Sequence, residues 1–256
     1  MSDELLVEIE DRVAVLTINR PDSLNSVYPA LQAEMADAMR RVAADSDVGC
    51  VVLTGAGRGF CAGGDTRQIR DRDAAIAARD AGPKPASPGK GLAGRIERLK
   101  ASAQMPRLLH DMGKPTIAMI NGACAGVGMS LAGACDLRFA GTSALMTWAY
   151  QKIGLSGDGG GTWYWTQILG TAKARRLILM NERFDGRQAH AFGLVHETFE
   201  DADLRPRTME IAQRMAQAAP GALRYAKEAL NFAEDGAFAR ALEIEAVNHA
   251  LSGLSK

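Results

Sequence analysis

Charge of one sign, long apolar runs and paired cysteines are all missing from this 256-residue chain. Lysine and arginine number 30, aspartate and glutamate 30, and the formal net charge is zero. Without a basic excess there is no electrostatic footprint for nucleic acid, and none is expected as a partner. No apolar stretch approaches the roughly 20 residues that a membrane helix needs, so no membrane partner is expected. The first residues, Met1-Ser2-Asp3-Glu4, lack the basic-then-apolar pattern of a secretory leader, and the expected location is the cytoplasm. The four cysteines, Cys50, Cys61, Cys124 and Cys135, form no CxxC, and none stands at zinc-finger spacing from a histidine. That argues against a metal site and for buried, reduced thiols.

What is there is ordinary globular composition, 47% apolar and 23% charged, in a length that suits one large domain or one with a small appendage. Residues 5–10 and 13–18 read as a hairpin around Asp11-Arg12. Residues 28–42 carry Leu31, Met35, Met39 and Val42 at helical spacing. A buried strand over 50–54 leads to the first glycine turn, Gly59-Phe60-Cys61-Ala62-Gly63-Gly64-Asp65. Residues 70–95, charged and then rich in Ala, Pro and Gly, read as a mobile insertion. A helix is expected over 95–112 and a second buried strand over 115–120. The second glycine turn, 121–128, follows, with a small-residue helix over 129–134 and a strand over 136–140. A third turn, 154–162, precedes helices over 163–169, 171–180 and 186–191, and a last strand over 194–198. Beyond it only helices are expected, over 203–219, 220–233 and 236–252. The fold class is α/β, with a body over 1–198 and a C-terminal helical region over 199–256.

The two glycine turns carry the chemistry. Each follows a buried strand and leads toward a helix start, so each can turn backbone N–H groups toward a ligand. Two such turns converging make an oxyanion hole, which stabilises an enolate or a tetrahedral oxygen.

These stretches resemble the crotonase (enoyl-CoA hydratase/isomerase) superfamily. The resemblance runs through 13–21 with Leu24-Asn25, then 59–65, 120–128, Cys135-Asp136-Leu137, 154–162 and 189–195, in order along almost the whole chain. It implies a crotonase-like spiral of ββα repeats with a C-terminal helical trimerisation region, assembled as a homotrimer or a dimer of trimers. It implies an acyl-CoA substrate, with coenzyme A entering as part of the thioester and no separate cofactor. It places the oxyanion donors on Gly64 and Val127, and the coenzyme A path along Leu24, Ala62, Gly63, Asp65 and Gly126. Asp65 is also expected to cap a short helix after the first turn.

Two departures bear on the reaction. A hydratase of the superfamily uses two glutamates to position and split water. Their places here hold Ser130 and Tyr150, and neither is a carboxylate. Asp158, in the third turn, stands where isomerases of the superfamily keep an acid. The phenylacetate-pathway epoxide and oxepin isomerases are similar in having a hydroxyl residue at the place of Ser130. The implied reading is an enoyl-CoA or epoxy/oxepin acyl-CoA isomerase with Asp158 as acid and base. Hydratase-like activity, a dehalogenase or thioesterase acting through Asp158, and a coenzyme A thioester binder without catalysis are the alternatives. Asp158 also suits a helix N-cap. Trp148, Tyr150, Trp163 and Tyr164 surround the third turn and are candidates to line an acyl pocket, with Ser130. Superfamily members also commonly run on for a helix beyond the match to 243–254, which implies a less covered coenzyme A site in a chain stopping at Lys256.

Overall fold

The computed structural model describes residues 2–65 and 91–235. The mobile insertion expected at 70–95 lies outside them up to residue 90, as does the helix expected over 236–252. From Gly91 the chain is already helical.

Among the described residues, ten strands form two sheets. The larger has the order β1-β2-β3-β5-β7-β10, made of Leu5–Glu10, Val13–Ile18, Cys50–Gly55, Thr116–Ile120, Leu137–Gly141 and Glu197–Phe199. β1 and β2 are antiparallel; every other neighbour pair is parallel. The smaller has the order β4-β6-β8-β9, made of Gly59–Cys61, Ala123–Ala125, Leu145–Thr147 and Arg183–Asp185. The helices are α1 (Pro29–Ala44), α2 (Gly91–Ser102), α3 (Gln104–Asp111), α4 (Val127–Ala134), α5 (Gly161–Met180), α6 (Gly186–Phe192), α7 (Asp201–Ala216) and α8 (Pro220–Asp235). β5-β6-α4 and β7-β8-α5 are successive turns of one ββα spiral. Each sends a long strand to the first sheet and a three-residue strand to the second.

The central strands of the larger sheet are buried on both faces, as their unbroken apolar runs require. Ala14, Leu16, Val51, Leu53, Ala118 and Ile120 face the core shared with α1, α3 and α4. Their neighbours Val13, Val15, Cys50, Val52, Ile117 and Met119 face Leu204, Met209, Ala212 and Ala216 of α7. The helical region expected from 199 onward therefore begins as the second covering layer of this sheet. α8 is fixed by Lys227, whose Nζ donates to Leu109 O (2.9 Å), Lys114 O (3.2 Å) and Asp136 Oδ2 (2.9 Å).

Two expectations need correction. The single helix over 95–112 is two, because Pro106 offers no N–H to the Ser102 carbonyl and breaks the ladder there. The helices over 163–169 and 171–180 are as expected, two helical segments within α5 that break at Gly170, which takes φ 70° and ψ 164°. The first two glycine turns contain strands, β4 and β6, which are too short to show an alternating pattern. β4 and α4 also touch, since a Cβ at Gly128 would lie 2.1 Å from Cys61 O. Gly128→Ala is therefore expected to cost roughly 1–3 kcal/mol through overpacking, read as a lower urea midpoint.

Candidate active site

The first glycine turn is stitched to the segment after β2. Ala62 N donates to Leu24 O, Val27 N to Gly63 O and Asp65 N to Val27 O, each at 2.9 Å. Leu24 and Asn25 both take left-handed backbone (φ 50° and 60°), which is uncommon for leucine and tolerated by asparagine. The fully buried Asn25 side chain accepts from Arg20 N (2.8 Å) and donates to Ala56 O (2.9 Å) and Gly59 O (2.6 Å). With Gly63 O and Asp65 N both facing Val27, the Gly64 N–H points the other way, as alternation along an extended chain demands.

The second turn lies on that other side. Gly126, at φ 55° and ψ −123°, is the N-cap of α4, and Val127 is the first helical residue. A Cβ at Gly126 would lie 3.5 Å from Gly63 Cα, and one at Gly63 would lie 3.3 Å from Ala125 O. Both glycines also take positive φ, 112° at Gly63 and 55° at Gly126, which glycine adopts freely. The Val127 N–H is one of the donors that a helix start leaves without a partner in the helix. Among the described residues, neither Gly64 nor Val127 donates its N–H to a protein acceptor.

The third turn brings Asp158 to the same place. A Cβ at Gly126 would also lie 4.0 Å from Tyr150 Cζ, and the Tyr150 hydroxyl donates a hydrogen bond to Asp158 Oδ1. Ser130, on α4 and fully buried, donates Oγ–H to the Asp158 carbonyl at 2.9 Å. A Cβ at Gly161 would lie 2.5 Å from Ser130 Oγ, and one at Gly157 would lie 2.5 Å from Trp148 Cζ2. The glycines let this loop settle onto both side chains. Burial raises the Asp158 carboxyl above the ordinary aspartate range, and the Tyr150 hydrogen bond partly opposes it. Burial first, and the neighbouring carboxylate next, push the Tyr150 phenol up, so it stays protonated. Asp158 is not a helix cap: α5 is capped by Gly160, with no side-chain bond.

The aromatic residues divide into two groups. The rings of Trp148 and Tyr150 are 4.9 Å apart, with Trp148 fully buried and its Nε1 without a partner. Trp163 and Tyr164 instead pack on His110, both at 5.5 Å. Trp148 is thus a floor beneath the third turn, and Tyr150 is the aromatic residue that reaches Asp158.

Sequence reasoning missed the tie that holds the first turn. Arg20 Nη2 pairs with Asp65 Oδ2 at 3.1 Å and Nε with Glu4 Oε1 at 3.0 Å. Its Nη1 donates to Ser26 O at 2.5 Å, and the guanidinium lies 4.9 Å from the Tyr28 ring centre. The partners come from four separated positions, so no local pattern reveals them. The helix that Asp65 was expected to cap lies outside the described residues. Arg20→Met, which leaves the Asp65 charge without this partner, is expected to cost about 3 kcal/mol, measured by denaturant unfolding.

The four cysteines are buried and free, and burial raises the thiols of Cys50, Cys61 and Cys135 to about 12. A cavity of about 790 Å³ lies at the opposite end of the strands, where β2, β3 and β5 begin, beside Arg12, Gly49, Pro115 and α8. Its amines are already occupied, Lys227 as above and Lys114 by the Val42 and Asp45 carbonyls. The Gly64 and Val127 N–H groups lie elsewhere, at the two glycine turns, and the candidate site is theirs.

The spiral with these facing turns defines a crotonase-fold enzyme that acts on acyl-CoA thioesters. The chain belongs to the enoyl-CoA hydratase/isomerase family, whose model matches residues 13–252. It is similar to 1,2-epoxyphenylacetyl-CoA isomerase of Escherichia coli (strain K12), 33% identical over 255 residues, covering 100% of this chain and 92% of the relative. It is also similar to 2,3-dehydroadipyl-CoA hydratase of Escherichia coli (strain K12), 29% identical over 242 residues, covering 94% and 87%. Among solved structures, an enoyl-CoA hydratase/isomerase from Cupriavidus metallidurans CH34 superposes with a TM-score of 0.86 at 30% identity, covering 99% of this chain and 89% of that one. Among the described residues, no helix is long and apolar enough to cross a membrane.

Proposed function

We propose that this enzyme is an acyl-CoA isomerase. The Gly64 and Val127 N–H groups hold the thioester oxygen, and Asp158 carries a proton between two carbons of an enoyl, epoxy or oxepin acyl group. The observation that carries this reading is the Asp158 carboxylate, which Tyr150 links to the side of the two turns. Ser130 and Tyr150, at the hydratase glutamate places, both direct their hydroxyls at Asp158, Ser130 at its backbone carbonyl and Tyr150 at its carboxylate. An enolate forming on the thioester oxygen would meet two fixed N–H donors and the positive end of α4. Leu24, Ala62, Gly63, Asp65 and Gly126 would border the coenzyme A path. The 33% identity to an epoxyphenylacetyl-CoA isomerase supports the same reading.

The hydratase relative keeps a second reading open, in which water adds across the double bond. Incubation in oxygen-18 water separates the two. Isomerisation leaves the product mass unchanged and unlabelled, whereas hydration adds one labelled water. Labelled free acid would instead mark a thioesterase, and halide release from a haloacyl-CoA with a labelled hydroxyacyl product would mark a dehalogenase. Tight binding across an acyl-CoA panel without any product would mark a binder. Homotrimers or dimers of trimers belong to the same proposal, and light scattering should return three or six times the chain mass.

A further inference from the structure

We propose that Tyr150 is a positioning residue for Asp158: it occupies Oδ1 and leaves Oδ2 as the one oxygen that takes up and returns the proton. This rests on the isomerase reading above.

Tyr150 is held from every side. It starts a one-turn helix, Tyr150–Ile153, and the preceding Ala149 N donates to Asn181 Oδ1 at 2.6 Å. Tyr150 N donates to Trp148 O (2.9 Å), and Leu155 N donates to Tyr150 O (3.0 Å). The ring is 5% exposed and lies between Trp148 and Gly126. A phenol so fixed, and kept protonated by burial, donates to one carboxylate oxygen at all working pH values. Ser130 fixes the Asp158 backbone, so the carboxyl is anchored at both ends.

Among the described residues, the elements around Asp158 bring little other charge. α4 presents Ser130, and α3 presents Pro106 to Gly159. Arg107 and Asp111 of α3 pair with each other, and Tyr164 of α5 turns to His110. Lys152 on the Tyr150 turn is exposed. Among the described residues, Tyr150 is the one side chain that shifts Asp158, downward, against desolvation.

The step balances without a co-reactant. Oδ2 removes a proton from a carbon conjugated to the thioester, and the C–H electron pair moves to the thioester oxygen as a dienolate. The dienolate then takes the same proton from Oδ2 at the other end of the system, forming the new C–H bond and restoring the carboxylate. One fixed oxygen serving both ends favours return of the original proton over exchange with water.

The test is a carboxyl carbon-13 NMR titration, with the Asp158 signal assigned by its loss in Asp158→Asn. Tyr150→Phe is expected to move the Asp158 titration upward by about one pH unit, the size of one hydrogen bond to a charged group. Incorporation of 3-fluorotyrosine at position 150, a stronger donor of nearly the same shape, is expected to move it downward, and serves if the phenylalanine variant does not fold. With a deuterated unsaturated acyl-CoA, Tyr150→Phe should also transfer less label between carbons and lose more to water. An unmoved titration in a folded variant, or unchanged label transfer, overturns the proposal. The titration needs no turnover, so it separates failure of this inference from failure of the isomerase reading, which an active Asp158→Asn would expose.

Discussion

Asp158→Asn is expected to lower turnover of an unsaturated or epoxy acyl-CoA by roughly 10²–10⁴-fold, the range for a positioned acid–base group. Binding of the thioester should change little, because asparagine has nearly the same shape. Its amide oxygen can still accept from Tyr150, and the Ser130 bond goes to the backbone carbonyl, which the substitution leaves in place. Stopped-flow turnover together with calorimetric binding of a nonreactive acyl-CoA checks both halves. Wild-type turnover in the variant would remove Asp158 from the chemistry. Lost binding would mean that the loop had moved. The acidic limb of kcat/KM in the wild type should lie above the ordinary aspartate range, since the base must be ionised and burial raises its pKa.

The same group sets a stability difference whose sign follows from linkage. An acid whose folded pKa is raised contributes its stability below the unfolded value and loses it as pH rises through the folded value. At neutral pH the ionised Asp158 therefore weighs against the fold, and Asp158→Asn, uncharged throughout, is expected to melt higher than the wild type. The gain should close as the pH falls below the ordinary value of 3.8. A more stable, inactive variant is the pattern expected where a site keeps a partly desolvated charge for chemistry.

Long strands and amphipathic helices were legible because their patterns are local. Val13–Ile18, Cys50–Gly55 and α1 declare themselves through apolar runs or helical spacing. The second sheet was not legible, since strands of three residues such as Gly59–Cys61 hold too few positions for a period. The addresses of Gly64, Val127 and Asp158 could be read from ordered glycine turns. Their mutual approach could not, because it rests on Gly63 facing Gly126 and on Gly126 facing Tyr150 across the spiral. The use of Ser130 and Tyr150 was hidden for the same reason. As isolated residues they are missing glutamates, and only the fold turns both hydroxyls onto Asp158. Asp65 suggested a local cap, while its ion pair with Arg20 spans 45 positions.

Val127→Pro is expected to lower kcat by roughly 10²–10³-fold, or about 3–4 kcal/mol in the barrier, the usual effect of deleting one oxyanion donor. Proline is suited to this position and to few others in the chain. Val127 is the first residue of α4, where a proline ring matches the backbone and the N–H has no helical partner to lose. The residue before a proline must avoid the helical region. Gly126, at φ 55° and ψ −123°, already does so, in the mirror image of an extended conformation that glycine adopts freely. The buried valine side chain, 4% exposed, is replaced by a ring of similar size, so unfolding stability should change far less than the rate. Urea unfolding and steady-state kinetics on one preparation make the comparison. A stable variant with wild-type kcat would show that the thioester oxygen is not held at Val127. A stable variant that turns over slowly, with Asp158 untouched, would assign the loss to the missing N–H, because that hydrogen is the only polar atom the substitution removes.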